Sequence, residues 1–182
     1  MARAMIAIRA ALLTAALAAT TALTAPQATA APAADGPEPV TIAGVAINAK
    51  ADKETRRIAS SETTALQMTA NLCGSRYTLY NAERLPTAED RKGTLFTYTN
   101  GGAGPRDWIC SVFDNNTGST KWMKLKICEN KVDNPRCDVD EGNFSQHAGP
   151  VRMNNCPTRT ALMKYSASSP RYLINAARGI CN

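Results

Sequence analysis

The six cysteines of this chain constrain its fold more than any other feature, because all of them follow an N-terminal export signal. Residues 1–30, MARAMIAIRAALLTAALAATTALTAPQATA, place Arg3 and Arg9 ahead of an apolar run and end in an A-x-A site closed by Ala30. This order is typical of a cleaved secretory signal peptide, and the apolar run is too short and too often interrupted by threonine to span a bilayer. We therefore expect a secreted, extracellular protein. In an oxidising medium, an even number of cysteines predicts three disulfide bonds. The cysteines are Cys73, Cys110, Cys128, Cys137, Cys156 and Cys181.

A metal–thiolate site is the competing interpretation of these cysteines. The chain contains no C-x-x-C motif, and its single histidine, His147, has no cysteine or second histidine at ligand spacing. Structural zinc sites need such closely spaced ligands. The sequence therefore predicts no metal and no other cofactor.

Local geometry favours one disulfide, between Cys128 and Cys137. The segment CENKVDNPRC places Asp133, Asn134 and Pro135 between the two cysteines, and these residue types favour a turn that brings the sulfurs together. Acidic residues stand beside both cysteines, which disfavours the thiolate that redox chemistry needs. We therefore expect a structural clamp. The pairing of the other four cysteines stays open from spacing alone.

The mature chain divides at about Leu72. Residues 31–71 are predicted to be flexible or partly helical, with a small, proline-rich spacer first. A short amphipathic helix is then expected from about Asp52 to Met68, with Ile58, Ala59 and Leu66 among the residues on one face. All the cysteines fall in residues 72–182, which we expect to form the disulfide-stabilised domain.

Short β-type runs separated by Gly, Asn and Pro clusters fill residues 72–182, which is typical of an all-β fold, a small antiparallel sandwich or barrel. In the run KWMKLKIC, Met123, Leu125 and Ile127 alternate with Trp122, Lys124 and Lys126, which predicts one buried and one solvated face. The turn-rich DNNTG segment suggests a hairpin between WICSVF and KWMKLKIC. The other candidate strands are RYTLYNAE, GTLFTYTN, GPVRM, TALMKY and RYLINAA.

The charge pattern argues against several partners. The formal net charge is +6, and it includes the two arginines of the signal. Acids are interspersed with Lys and Arg along the chain, so no basic stripe for nucleic acid is expected. No membrane association is expected after signal cleavage. A mild positive charge is compatible with adsorption to an anionic cell wall or spore surface.

Several short motifs resemble the spore-associated protein A family, small secreted proteins of spore-forming actinomycetes. They are LCGSRYTLYN, GTLFTYTN, the cysteine of WIC, GNFSQHAGPV, and the closing cysteine of ARGICN, and they span about residues 72–182. The resemblance maps the four cysteines of that family onto Cys73, Cys110, Cys156 and Cys181. It leaves Cys128 and Cys137 as an added pair. On this mapping we expect Cys73 to pair with Cys181, and Cys110 with Cys156. The resemblance implies a place on the spore or hyphal surface and implies no reaction.

The sequence gives little support for catalytic or metal-binding residues. A triad would have to use His147, with Asp138, Asp140 or Glu141 as the orienting acid, but the chain has no G-x-S-x-G nucleophile motif. We expect His147 to be a surface or turn residue. The segment DVDEGN resembles part of a calcium loop but lacks its third and closing ligands, so a solvated acidic turn is expected. Paired carboxylates for glycoside hydrolysis are not singled out by spacing. We expect no enzymatic activity.

Aromatic residues give the only indication of a ligand surface. Trp122 is predicted on the wet face of its strand beside Lys124 and Lys126, and these three residues form the candidate binding site. Trp108, Tyr98 and Tyr80 are further candidates to stack on sugars. We expect a secreted, non-enzymatic spore- or cell-surface protein with a structural or surface-interaction role. The alternatives are a secreted protease inhibitor, using CENKVDNPRC or TNGGAGPRDW as its loop, and a small hydrolase using His147.

Overall fold

The computed structural model describes residues 40–131 and 133–180. These residues belong to one compact unit, Pro37–Asn182. The expected signal peptide and the spacer that follows it lie outside the described residues. Within the described ranges, the chain contains no helix with the length and apolar character needed to cross a membrane.

The described chain forms two four-stranded antiparallel sheets, preceded by a short β-ribbon and two helices. One sheet has the strand order β3-β4-β5-β8, and the other has the order β10-β9-β6-β7. This arrangement confirms the predicted antiparallel, disulfide-stapled β fold. The elements are β1 (Thr41–Ile42), β2 (Val45–Ala46), α1 (Lys53–Ser61), α2 (Thr63–Cys73), β3 (Thr78–Leu85), β4 (Gly93–Thr99), β5 (Ile109–Asn115), β6 (Lys121–Cys128), β7 (Cys137–Phe144), β8 (His147–Met153), β9 (Thr158–Lys164) and β10 (Ile174–Gly179).

The main core lies between the two sheets. Alternate residues of β6, namely Met123, Leu125 and Ile127, are fully buried and pack against Phe113 and Val151 of the opposite sheet. The intervening residues of β6 after Lys121 are half-buried. The predicted alternation of KWMKLKIC is therefore confirmed, as expected for a strand with one face in the core.

A second core lies between the helices and the β3-β4-β5-β8 sheet, which we call the helix-covered sheet. Ile58 of α1 and Leu66 of α2 are fully buried there, together with Phe96 and Tyr98 of β4. Strands β4 and β5 are therefore buried on both faces. The segment before Leu72, which we expected to precede the domain, contributes to this core. The compact unit accordingly begins well before the boundary that the sequence suggested.

The helical segment differs from the single helix expected over Asp52–Met68. Helix α1 begins after Asp52, whose carboxylate accepts a hydrogen bond from the Thr55 amide at 2.6 Å, a standard N-cap. The helix ends at Ser61, the backbone of Glu62 leaves the helical region, and α2 then runs from Thr63 to Cys73. The break lets the helix axis turn while both helices keep apolar residues on the sheet.

The expected hairpin between WICSVF and KWMKLKIC is wrong. Strand β5 pairs with β4 and β8, whereas β6 pairs with β7 and β9 in the other sheet. Both edges of β5 are thus occupied within its own sheet. The DNNTG turn therefore carries the chain from one sheet to the other instead of closing a ladder.

The disulfides confirm one predicted pairing and overturn the others. Cys128 and Cys137 are bonded across the end of β6 and β7, as expected from the turn between them. Cys73 pairs with Cys110, not with Cys181, and Cys110 is therefore not bonded to Cys156. The reason is that α2 lies on β5, which places the end of the helix over Cys110. Cys156 also forms a disulfide, and Cys181 lies outside the described residues.

The acidic segment DVDEGN forms strand β7, so the expected solvated turn is wrong. Asp138 and Asp140 accept hydrogen bonds from the backbone amides of Arg152 and Gly149 at 2.7 and 2.6 Å. These amides belong to β8 of the helix-covered sheet, so the two carboxylates join the sheets along this edge. Gly149 has φ +98°, and a Cβ there would lie 2.8 Å from the Ser111 carbonyl oxygen, so the position requires glycine.

Candidate functional site

The most distinctive surface is the outer face of the β10-β9-β6-β7 sheet, which we call the open sheet. Both helices pack on the other sheet, and the outer residues of the open sheet are exposed or half-buried. The strand register sets Trp122 of β6 between Lys164 of β9 and Asn143 of β7. Lys124 and Lys126 follow on the same face of β6, because side chains alternate along a strand.

An aromatic–cation cluster forms at one end of this face. The Lys164 ammonium lies 5.1 Å from the centroid of the Trp122 ring and 4.6 Å from that of the Tyr172 ring. Both distances are in the range of cation–π attraction. Tyr172 is exposed and Trp122 is half-buried. The cluster therefore presents two aromatic rings and a positive charge to solvent.

The predicted site residues Trp122, Lys124 and Lys126 share this face, but they differ in their charge partners. Lys124 forms an ion pair with Glu141 of β7 at 2.7 Å. Lys126 forms no ion pair with any described residue. Lys126 lies beside Val139, whose side chain is exposed. The unneutralised cations of the outer face are therefore Lys126 and Lys164.

A cationic cavity of about 410 Å³ is lined by residues that include sequence neighbours of the aromatic–cation cluster. Lys121 precedes Trp122, and Tyr165 follows Lys164. Lys121 is only 8% exposed, its ammonium donates to the Ser119 hydroxyl, and it lies 5.7 Å from the centroid of the Tyr165 ring. No acidic side chain of the described chain lines the cavity. Its lining residues are Arg91, Lys92, Asn116, Thr117, Ser119, Lys121, Tyr165 and Leu173.

The other aromatic candidates are not brought to this face. Tyr98 is fully buried beneath the helices, where its hydroxyl lies 2.6 Å from that of Thr69, and burial raises the pKa of Tyr98. Trp108 is 45% exposed but precedes β5 of the helix-covered sheet. Tyr80 is half-buried at a separate cavity between the sheets. A single surface containing all four aromatic residues does not form.

His147 does not meet the acids proposed to orient it. It begins strand β8 directly after a bend and is half-buried, and its Nδ1 is buried with no hydrogen-bond partner among the described residues. Asp138 and Asp140 bind the β8 backbone, and Glu141 pairs with Lys124.

The residue opposite His147 in the strand register is Asp114 of β5. Burial raises the pKa of Asp114 to about 6, and the nearby Glu62 charge adds to this effect. The Asn116 amide opposes the shift by donating to the Asp114 carboxylate at 2.8 Å. Because its pKa is higher in the folded chain than in an unfolded one, ionisation of Asp114 lowers the stability of the fold.

A buried polar network around Glu62 was missed by sequence reasoning. The Glu62 carboxylate accepts bonds from Arg84 and Arg91, both at 2.7 Å, and from the Thr94 hydroxyl at 2.8 Å. Glu62 stands at the break between the helices, so the network ties both to β3 and β4. In sequence, Glu62 lies in the polar run SSETT, and nothing local marks it as buried.

The comparisons with known proteins add no relative. No protein-family model, no curated protein and no solved structure matches this chain. The resemblance to the spore-associated protein A family therefore rests on its sequence motifs and stays a prediction.

Proposed function

We propose that this chain is a secreted, non-enzymatic surface-binding protein that adsorbs to polyanionic glycans of a cell wall or spore coat. The observation that carries the proposal is the aromatic–cation cluster of Trp122, Lys164 and Tyr172 on the outer face of the open sheet, where neither of the two described helices packs. Aromatic rings stack on the apolar faces of sugars, and neighbouring ammonium groups attract their anionic substituents.

Charge supports a polyanion over a neutral glycan. Lys126 and Lys164 are unneutralised on the outer face, and the adjoining cavity has Arg91, Lys92 and Lys121 in its lining without an acid. Two of these cations have partners, since Arg91 pairs with Glu62 and Lys92 with Asp90. The outer face is itself net positive, because Lys126 and Lys164 have no acidic partner among the described residues, and several such cations favour a repeating anionic polymer over a single small ligand.

Binding to isolated cell walls tests this function. We expect saturable binding that weakens with added salt, because exposed charge attraction is screened. Trp122→Ala should weaken binding about fivefold, since an aromatic contact is worth about 1 kcal/mol. Trp108→Ala is the matched control, because it removes an exposed tryptophan that lies outside the face. Equal loss in both variants, or no saturable binding, would refute the proposal.

Protease inhibition is the second candidate, and the clamp loop supports it less well. Arg136 and Lys131 are the exposed basic side chains of this loop, but both pair with the buried Glu129 carboxylate. The Glu129 pKa is lowered to about 2, chiefly by the hydrogen bonds from Arg136 and Lys131. Neither base is then free to enter a specificity pocket. Inhibition of a subtilisin-like or trypsin-like protease at stoichiometric concentrations would reverse this order.

A further inference from the structure

A buried arginine with no carboxylate partner among the described residues lies between the two sheets. Arg159 of β9 points into the sandwich and is only 4% exposed. Its Nη1 donates to the Thr97 hydroxyl and to the Asn81 side-chain oxygen, the latter at 3.5 Å. Its Nη2 donates to the Gly179 carbonyl at 3.4 Å. The Nε group has no hydrogen-bond partner within the part of the chain that the structure describes.

All acceptors of Arg159 are neutral, and this is unusual for a buried cation. Buried charges in proteins are normally paired, because an unpaired charge loses its hydration without compensation. Burial lowers the pKa of Arg159 to about 10, so the guanidinium still carries its charge at neutral pH. Glu83, the acid whose charge opposes this lowering of the Arg159 pKa, already receives two hydrogen bonds from Arg178, at 2.8 and 3.0 Å.

The Arg159 side chain lines a cavity of about 290 Å³ at the sheet edge where β3 and β10 meet. The charged lining residues are three cations and two acids, which leaves a net positive charge. One acid, Asp52, is engaged as the N-cap of α1. Tyr80 adds an aromatic wall to the cavity. The lining residues are Lys50, Asp52, Tyr80, Asn81, Glu83, Arg159, Arg178, Gly179 and Ile180.

We propose that this cavity binds a small molecule bearing one oxyanion, either a carboxylate or a phosphate, with Arg159 as its principal charge partner. The bound oxyanion supplies the counter-charge that Arg159 lacks within the described chain, and charge-assisted hydrogen bonds from arginine to such groups are strong. A cavity of this size admits a ligand of about one sugar ring, at the lower end of small-molecule sites. The site is separate from the outer face of the open sheet.

The proposal is tested by ligand-dependent thermal stability and calorimetry on the mature protein. Inorganic phosphate and glucuronate are the probes, and glucose is the neutral control. We expect a saturable rise in Tm with at least one oxyanion and none with glucose, because a ligand that binds only the folded state stabilises it. A response to phosphate alone identifies a phosphate site, and a response to glucuronate alone identifies a carboxylate site.

Two variants distinguish a binding site from a structural arginine. Arg159→Met keeps the side-chain length but removes the charge, and it should raise the Kd at least about tenfold. The matched control is Arg57→Met, at an exposed arginine of α1, which should leave binding unchanged. Trp122→Ala should also leave it unchanged.

Glu83→Gln keeps the test decisive if Arg159→Met does not fold. It removes an acid from the cavity and releases Arg178, so it should tighten oxyanion binding. Absence of a saturable response to both oxyanions would overturn the proposal. Equal binding in Arg159→Met and the wild type, or no tightening in Glu83→Gln, would also overturn it.

Discussion

Replacing Asp114 by asparagine should stabilise the protein at neutral and alkaline pH. The Asp114 pKa is raised from 3.8 to about 6 in the folded chain, mainly by burial. Because the pKa of Asp114 is higher in the folded state than in the unfolded state, the ionised carboxylate destabilises the fold relative to the protonated carboxyl group. Its contribution is fully present below the unfolded pKa and is lost as the pH rises through the folded pKa. An asparagine keeps the acceptor for the Asn116 amide and cannot ionise.

The shift sets the size of the effect. Between about pH 4 and about pH 8, a pKa raised from 3.8 to about 6 removes about 2 kcal/mol of folding free energy from the wild type. We therefore expect the stability difference between Asp114→Asn and the wild type to grow by about that amount over this range.

Urea denaturation at a series of pH values measures this difference. Comparing the variant with the wild type cancels other titrating groups, such as Glu129, whose lowered pKa contributes stability that is lost only as the pH falls. Asp133→Asn, which makes the same substitution at an exposed acid of the clamp loop, is the matched control. A stability difference that stays constant with pH, or that shrinks as the pH rises, would refute the assignment of Asp114 as a buried, destabilising charge.

Two further predictions concern the architecture. Replacing both Cys128 and Cys137 by serine should lower the free energy of unfolding by about 2 to 3 kcal/mol, the chain-entropy value for a short loop. Urea denaturation of the oxidised proteins measures this loss. An unchanged denaturation midpoint would contradict a stabilising clamp. Leu66→Ala in α2 should cost about 2 to 5 kcal/mol, as should Leu125→Ala in the sheet core, because both side chains are fully buried. A negligible cost for Leu66→Ala, measured in the same way, would show that the helices are not integral to the domain.

Strand β6 was predicted correctly, together with its buried and solvated faces, from its sequence alone. In β6, one face packs in the core and the other meets solvent, so the sequence alternates visibly between apolar and polar residues. Strand β7 was missed because its inward residues are Asp138 and Asp140, whose carboxylates bind the β8 backbone. That compensation depends on a neighbouring strand and leaves no local pattern.

In the candidate site too, the sequence predicted only the residues that a pattern within one strand reveals. Trp122, Lys124 and Lys126 were found from alternation within one strand. Lys164 and Tyr172 were not, because they reach Trp122 only through the pairing of β6 with β9. No residue pattern in β6 specifies that partner.

Two glycines in the recognised motifs have structural explanations. Gly74 of C-G-S ends α2 with φ +98°, directly after the disulfide-bonded Cys73. Gly149 of A-G-P-V allows β8 to approach the Ser111 carbonyl. Both positions favour glycine for conformational reasons. These two glycines therefore serve the architecture of the domain.

The most direct test of surface binding is covalent footprinting of the protein on isolated cell walls. Hydroxyl-radical labelling of the free and wall-bound protein, followed by mass spectrometry, reports the protection of each exposed aromatic side chain. We expect Trp122 and Tyr172 to be protected on the wall, and Trp108 to be labelled equally in both states. Protection of Trp108 without Trp122, or equal labelling of all three residues in both states, would contradict binding through the open sheet.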